Sequence, residues 1–162
     1  MKIHVLLFWL GSNLYAISTS PVREVLPIAA LTAAPGQPPI IRGFLNVRGS
    51  AVPVIRLRRL FGFDERDPRR YTPLILVDSG SAMLALEVDA LEEVVEHDEA
   101  ATQPLAAGHS ANDCAEGMIA WNGREAILLS FKRLLLAQEM ERVRALQGAM
   151  QERLNALAAE VQ

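Results

Sequence analysis

Cysteine is almost missing from this chain: Cys114 stands alone among 162 residues, so neither an internal disulfide nor a thiolate metal cluster can form. A reducing, cytoplasmic setting is expected. Lysine is nearly as scarce, because Lys2 and Lys132 leave fourteen of the sixteen Lys plus Arg residues as Arg. The planar guanidinium fork suits fixed contacts to carboxylates and backbone carbonyls, which leans towards protein interfaces. Excess positive charge is lacking too: the formal net charge is -3, too acidic for a protein that grips a phosphate backbone along its length. No run reaches the roughly 18 apolar residues of a spanning helix. The apolar start, Ile3 to Leu10, follows a single Lys like a signal sequence, but the run is short, contains His4 and ends in Gly11-Ser12-Asn13, which reads as a turn between strands.

Catalytic signatures are also wanting. His4, His97 and His109 are scattered, with no ligand-like spacing on a helix. Cys114 has no motif around it, and no G-x-G-x-x-G, G-x-x-x-x-G-K-[ST] or G-x-S-x-G pattern occurs. No enzyme activity, metal or cofactor is expected. The run Arg56, Arg58, Arg59, Arg66, Arg69, Arg70 is interspersed with Asp64, Glu65 and Asp67 and lacks an aromatic strand pattern. It reads as a solvated loop or protein-binding edge rather than a nucleic-acid site. The acidic stretch Glu87, Asp89, Glu92, Glu93, Glu96, Asp98, Glu99 reads as an exposed strand face.

What is present is a repeat. At an offset of 69, Gly11 falls on Gly80, Ala16 on Ala85, Val22 on Leu91, Glu24 on Glu93 and Val25 on Val94; at an offset of 74, Gly43 falls on Gly117, Gly49 on Gly123 and Arg59 on Arg133. Two similar subdomains follow. Val5–Leu10, Tyr15–Ile17, Val22–Ile28, Ala51–Arg56, Leu74–Val77, Met83–Val88, Leu91–His97, Met118–Trp121 and Ala126–Leu129 are short, β-branched or Leu-rich, and bounded by turn residues. Asn122-Gly123 is a hairpin turn, and Gly49-Ser50 would close its counterpart. The expected fold is all-β, a pair of small five-stranded barrels that close their own edges. From Leu136 the period changes: Met140, Val143, Leu146, Met150, Leu154 and Leu157 fall on one face of a long helix. Such a helix runs about 40 Å at roughly 1.5 Å per residue, longer than one small barrel. Part of its stripe is expected to need another partner, and the helix either docks on its own barrel or meets a second copy or an array partner.

The segment Gly43-Phe44-Leu45-Asn46-Val47-Arg48-Gly49-Ser50-Ala51-Val52-Pro53-Val54-Ile55-Arg56-Leu57-Arg58 resembles the signature of CheW-type coupling proteins of bacterial chemosensory systems, roughly G-[VF]-x-N-L-R-G-x-[VI]-x-P-[VI]-[VI]-D-L-R. Leu14–Ile17, Val22–Leu26, Leu86–Asp89 and Ala126–Leu129 resemble the flanking segments in order. The family usually has Asp where this chain has Arg56 and Ser130, and Leu where it has Val47. The resemblance implies two SH3-like barrels over residues 1–137, with 138–162 as a helical extension. It also implies a non-catalytic adaptor that links the cytoplasmic tip of a methyl-accepting chemoreceptor to the regulatory domain of a CheA-type histidine kinase, in flagellar chemotaxis or in an array governing surface sensing, pili or cyclic-dinucleotide output. Val22, Glu24, Val25, Arg48 and Val88 would meet the receptor; Arg42, Asn46 and Arg56 would meet the kinase. A nucleic-acid-binding small barrel is the alternative.

Overall fold

The computed structural model describes residues 1–64, 66–80, 82–105 and 114–161. Ten strands form two five-stranded sheets, followed by a long helix. They are β1 (Lys2–Leu10), β2 (Asn13–Ser18), β3 (Val22–Pro27), β4 (Ile41–Val47), β5 (Ser50–Arg56), β6 (Pro73–Asp78), β7 (Met83–Glu87), β8 (Ala90–Asp98), β9 (Ala115–Trp121) and β10 (Arg124–Leu129). A one-turn helix α1 (Leu57–Leu60) follows β5, and α2 (Ala137–Val161) ends the described chain. The two barrels are not successive halves of the sequence. The first sheet runs β8-β1-β2-β10-β9 and the second β3-β6-β7-β5-β4. Advancing each label by one five-strand repeat turns one order into the other, so each repeat lends its first two strands to the barrel completed by its sibling. The two parallel contacts, β2 with β10 and β5 with β7, are likewise equivalent.

The exchange follows from residues that are apolar on both faces. Along β1, Val5 and Leu7 point into the first barrel while Leu6, Phe8 and Leu10 point into a core shared by both sheets. On β6, Leu74 and Leu76 fill the second barrel while Ile75 and Val77 enter the shared core. Strands buried on both sides read as continuous apolar runs rather than alternating ones. Only the edge strands β3 and β8 alternate with exposed side chains.

Glycines permit closure at equivalent places. Beyond β3, Thr32 exchanges backbone hydrogen bonds with Phe44 at 2.9 and 2.7 Å; beyond β8, Gln103 does so with Met118 at 2.9 and 2.8 Å. The neighbouring Gly43 and Gly117 are crossed so closely that a Cβ at Gly117 would lie 2.5 Å from Thr102 Cγ2 and 2.7 Å from the Gln103 carbonyl oxygen, and one at Gly43 would lie 2.9 Å from Leu31 Cβ. The β9–β10 turn is Asn122-Gly123, as the sequence indicates, whereas the β4–β5 turn is Arg48-Gly49 rather than Gly49-Ser50. Both residues of each pair have positive φ, the geometry a two-residue hairpin with right-handed strand twist requires. Strand β4 is absent from the segments that sequence pattern alone delineates, because Arg42, Gly43 and Asn46 interrupt its apolar run.

The α2 stripe packs on its own molecule. Leu136, ahead of its first residue, donates its N–H to Glu139 Oε1 at 2.8 Å, one half of a capping box. Val143 is 0% and Met150 7% exposed, both within the shared core, with Met140 and Leu146 packed against it. Gln147 and Gln151 then complete backbone valences of β5: Gln147 Nε2 donates to the Ala51 carbonyl at 3.0 Å, and Gln151 accepts from Ala51 N–H at 2.8 Å while donating to the Gly49 carbonyl at 2.8 Å. Of the stripe residues assigned to a partner helix, Met140, Val143, Leu146 and Met150 are thus held by the molecule's own core. Leu154 is half-buried, and Leu157, 60% exposed, is the stripe residue left to solvent.

The basic run and the acidic stretch meet across the barrels, correcting their reading as separate solvated surfaces. Glu87 is buried and pairs with Arg42, whose Nη2 lies 2.9 Å from Glu87 Oε2. Asp89 accepts from Arg58 Nε at 2.9 Å and from the Gly11 N–H at 2.6 Å, with Arg66 at 3.5 Å. Burial alone would raise the Asp89 carboxyl, but the hydrogen bonds from Arg58 and Gly11 and the nearby guanidinium charges outweigh it and hold the group below its usual range. Its folded pKa is depressed, so its contribution is present above the unfolded value of about 4 and is lost as pH falls through the folded one.

Three outcomes are expected from urea unfolding. Gly117→Ala should cost about 1–3 kcal/mol through overpacking against backbone, whereas Gly148→Ala, on α2 with open space around it, should gain about 0.5–1 kcal/mol of helix propensity. Arg58→Ala should cost about 1.5–3 kcal/mol near neutral pH, and the deficit should shrink as pH falls below about 4 and vanish once Asp89 is protonated in the folded wild type as well. A deficit independent of pH would show that Arg58 acts by packing alone.

Candidate functional site

The repeat makes two clefts between the barrels, and they have diverged. One is sealed by the network just described, with Arg42, Arg56, Arg58, Arg59, Arg66 and Glu87 lining what remains as a recess of about 10 Å³. The same sequence offsets carry Glu87 to Ser18, Asp89 to Ser20, Arg42 to Glu116, Arg56 to Ser130 and Arg58 to Lys132. All five of these line the other cleft, which is an open cavity of about 530 Å³. Small hydroxyls stand where carboxylates and a guanidinium would close it. Its apolar wall includes Ile3, Leu129 and Phe131, and its rim includes Arg23 and Asp78, hydrogen-bonded to each other at 3.1 Å. The N–H of Gly80, with the Arg23 guanidinium after it, holds the Asp78 carboxyl below its usual range.

Edge strand β3 borders this cleft through Arg23, and none of the proposed receptor residues Val22, Glu24, Val25, Arg48 and Val88 lines it. Val25, 40% exposed, shares the outward face of β3 with Arg23. Val22 is half-buried and packs against the shared core, so it serves the fold as well as any surface. Glu24 is half-buried and pairs with Arg48 Nη2 across the barrel end. Arg48 sits in the β4–β5 turn itself and reaches β3. Val88 is corrected: at 1% exposure it belongs to the shared core and offers no surface to a docking helix.

The three proposed kinase residues do not converge. Arg42 and Arg56 line the sealed recess, while Asn46 lies at the hairpin end, where its Oδ1 accepts the Gly49 N–H at 3.0 Å. Ser18, Ser20, Phe131 and Lys132 escaped sequence reasoning, because nothing in them signals a site individually. Projecting the Arg56 to Asp89 network through the repeat offsets would have found the cleft.

The barrel ends have diverged as well. On the first barrel, Trp9 Nε1 donates to Glu92 at 2.9 Å, Trp121 Nε1 to Glu93 at 3.0 Å, and the Arg124 guanidinium lies 4.8 Å from the Trp9 ring centre. The equivalents on the second barrel are Asp78, Arg23, Val47, Glu24 and Ser50, an ionic end in place of an aromatic one. His97 is buried and bonded to Thr102 Oγ1 at 2.7 Å, His4 is exposed, and His109 lies outside the described residues. Cys114 is buried. The Tyr15 hydroxyl is pushed up to about 12 by burial and by proximity to Cys114. Among the described residues no helix is long and apolar enough to cross a membrane.

The pairing of exchanged five-stranded barrels can be set against known proteins. The CheW-like domain matches residues 4–139, ending just inside α2. The chain is 29% identical to the chemotaxis protein CheW of Klebsiella aerogenes over 137 residues, 83% of this chain and 82% of that protein. It is 26% identical to the probable chemotaxis protein CheW of Rhizobium etli, covering 83% of this chain and 88% of the relative. The crystal structure of the scaffolding protein TtCheW from Thermoanaerobacter tengcongensis superposes with a TM-score of 0.77 at 27% identity, covering 86% of this chain and 96% of that one. With the family domain spanning most of the sequence and the same architecture in a solved relative, this chain belongs to the CheW-like family.

Proposed function

We propose that this protein is a non-catalytic scaffold that couples methyl-accepting chemoreceptors to a CheA-type histidine kinase within a chemosensory array. The observation that carries the reading is the open cleft of about 530 Å³ between the barrels, bordered by the exposed edge strand β3. A receptor tip is a helical hairpin, and its apolar stripe can lie in a groove with Phe131 and Leu129 on one wall and Arg23 at the rim, and reach past it to Val25 on the same exposed face of β3. The groove has polar groups, Ser18, Ser20, Ser130 and Lys132, to meet the flanking polar residues of such a helix. The Arg42 and Arg56 region and the Asn46 hairpin form separate candidate contacts for the kinase, and the rigid shared core holds them at a constant distance from the cleft. Within the basic run, Arg58 and Arg66 are turned onto Asp89 rather than outward, which weakens the nucleic-acid alternative.

Val25→Asp tests the groove better than Val22→Asp, because Val22 also supports the core. Placing an unpaired carboxylate in an apolar contact costs about 1–3 kcal/mol, so receptor-fragment binding should fall roughly tenfold or more while the thermal midpoint holds. The check is a pull-down and a titration with a purified receptor hairpin. Unchanged affinity in both Val25→Asp and Phe131→Asp would remove the cleft from the receptor interface.

A further inference from the structure

A second groove lies on the flank of the second barrel and shares Arg42 with the sealed cleft. It measures about 550 Å³ and runs between residues 28–31 and the loop 68–70. Two observations distinguish it from an ordinary surface crease. Between its anchors, where Ile28 N–H bonds the Thr72 carbonyl at 2.8 Å and Thr32 bonds Phe44, the backbone of Ala29, Ala30 and Leu31 makes no hydrogen bond among the described residues. It continues the edge strand β3 and presents unpaired donors and acceptors beside half-buried Ile28 and Leu31. On the opposite wall, Arg69 and Arg70 are exposed and form no ion pair among the described residues. Arg70 stands 5.4 Å from the ring centre of Tyr71, which is 74% exposed.

We propose that this groove binds an extended acidic segment of a protein partner, which adds to the free backbone of Ala29 to Leu31 and sets its carboxylates against Arg69 and Arg70. Strand addition supplies main-chain affinity, and the period of two along an extended chain sends alternate side chains to the aliphatic floor and to the guanidiniums. A peptide alternating acidic and aliphatic residues meets both walls. The guanidinium fork and an exposed Tyr are residue types that dominate such contacts. Basic and uncharged segments lack the charge match, and a nucleic acid lacks the backbone to extend a strand.

Fluorescence anisotropy with a labelled octapeptide alternating Glu and Leu tests this without receptor or kinase, so its outcome is separate from that of the coupling role. The full chain should bind the peptide, more weakly as salt rises, and the double variant Arg69→Glu/Arg70→Glu should bind at least tenfold more weakly with an unchanged thermal midpoint. Amide exchange at Ala29 to Leu31 should slow on peptide addition. Equal affinity for the charge-reversed variant, for the Lys/Leu peptide or for an oligothymidine of the same length would overturn the proposal, as would peptide binding without exchange protection at those residues.

Discussion

Everything in this molecule hangs on the shared core between the sheets. Each barrel interior is small: Val5, Leu7, Leu14, Ala16, Ile119, Ala126 and Leu128 fill the first, and Leu45, Val52, Val54, Leu74, Leu76 and Ala85 the second. Cores of that size are marginal for independent stability. The larger cluster, from Leu6 and Phe8 through Ile75 and Leu86 to Val143 and Met150, lies between the barrels. Its formation requires both repeats, and the strand exchange makes each barrel contain pieces of both. Neither barrel can therefore be a folding unit without the other, and the angle between them is set by packing rather than by a linker.

A body built on pseudo-twofold symmetry presents each surface twice, and a coupler of unlike partners needs surfaces that differ. The divergence is confined to places where the core does not constrain it. One cleft is closed by Arg42 with Glu87 and by Arg58 with Asp89, ions whose removal from water is offset only because each carboxylate has several donors. Its counterpart keeps Ser18, Ser20 and Ser130, which are neutral and leave space. On the first barrel, α1 is followed by Phe61, which stacks on Tyr15 with centroids 5.5 Å apart; on the second, the long α2 provides the cover.

Much of this was legible in the sequence. The repeat offsets paired the glycines Gly43 with Gly117 and Gly49 with Gly123, the Asn122-Gly123 turn was read directly, and the period of α2 was evident from Met140 to Leu157. The exchange of strands was not legible, because a repeat specifies which segments are alike and says nothing of which copy each one pairs with. Val88 illustrates the limit at the site: its neighbours in sequence resemble a family surface segment, yet it follows directly on β7, whose run is apolar on both faces and gives no periodic sign of which side the next valine takes. Arg48 and Glu24 were both selected from sequence, but their mutual pairing depends on β3 and the β4–β5 hairpin meeting at one barrel end.

The fate of α2 shows how local chemistry settled a question that hydrophobicity left open. An apolar stripe of that length is equally suited to a partner helix or to its own barrel. Two glutamines one turn apart decide the matter, since Gln147 and Gln151 satisfy both backbone groups of Ala51 before the parallel pairing of β5 with β7 begins. An unsatisfied backbone group at a half-buried sheet edge is costly, and a partner helix docking elsewhere would leave both unpaired. The helix is thus a fixed part of the scaffold as far as Gln151. What it can offer to another molecule is confined to its last turns, where Leu157 emerges from the stripe into solvent.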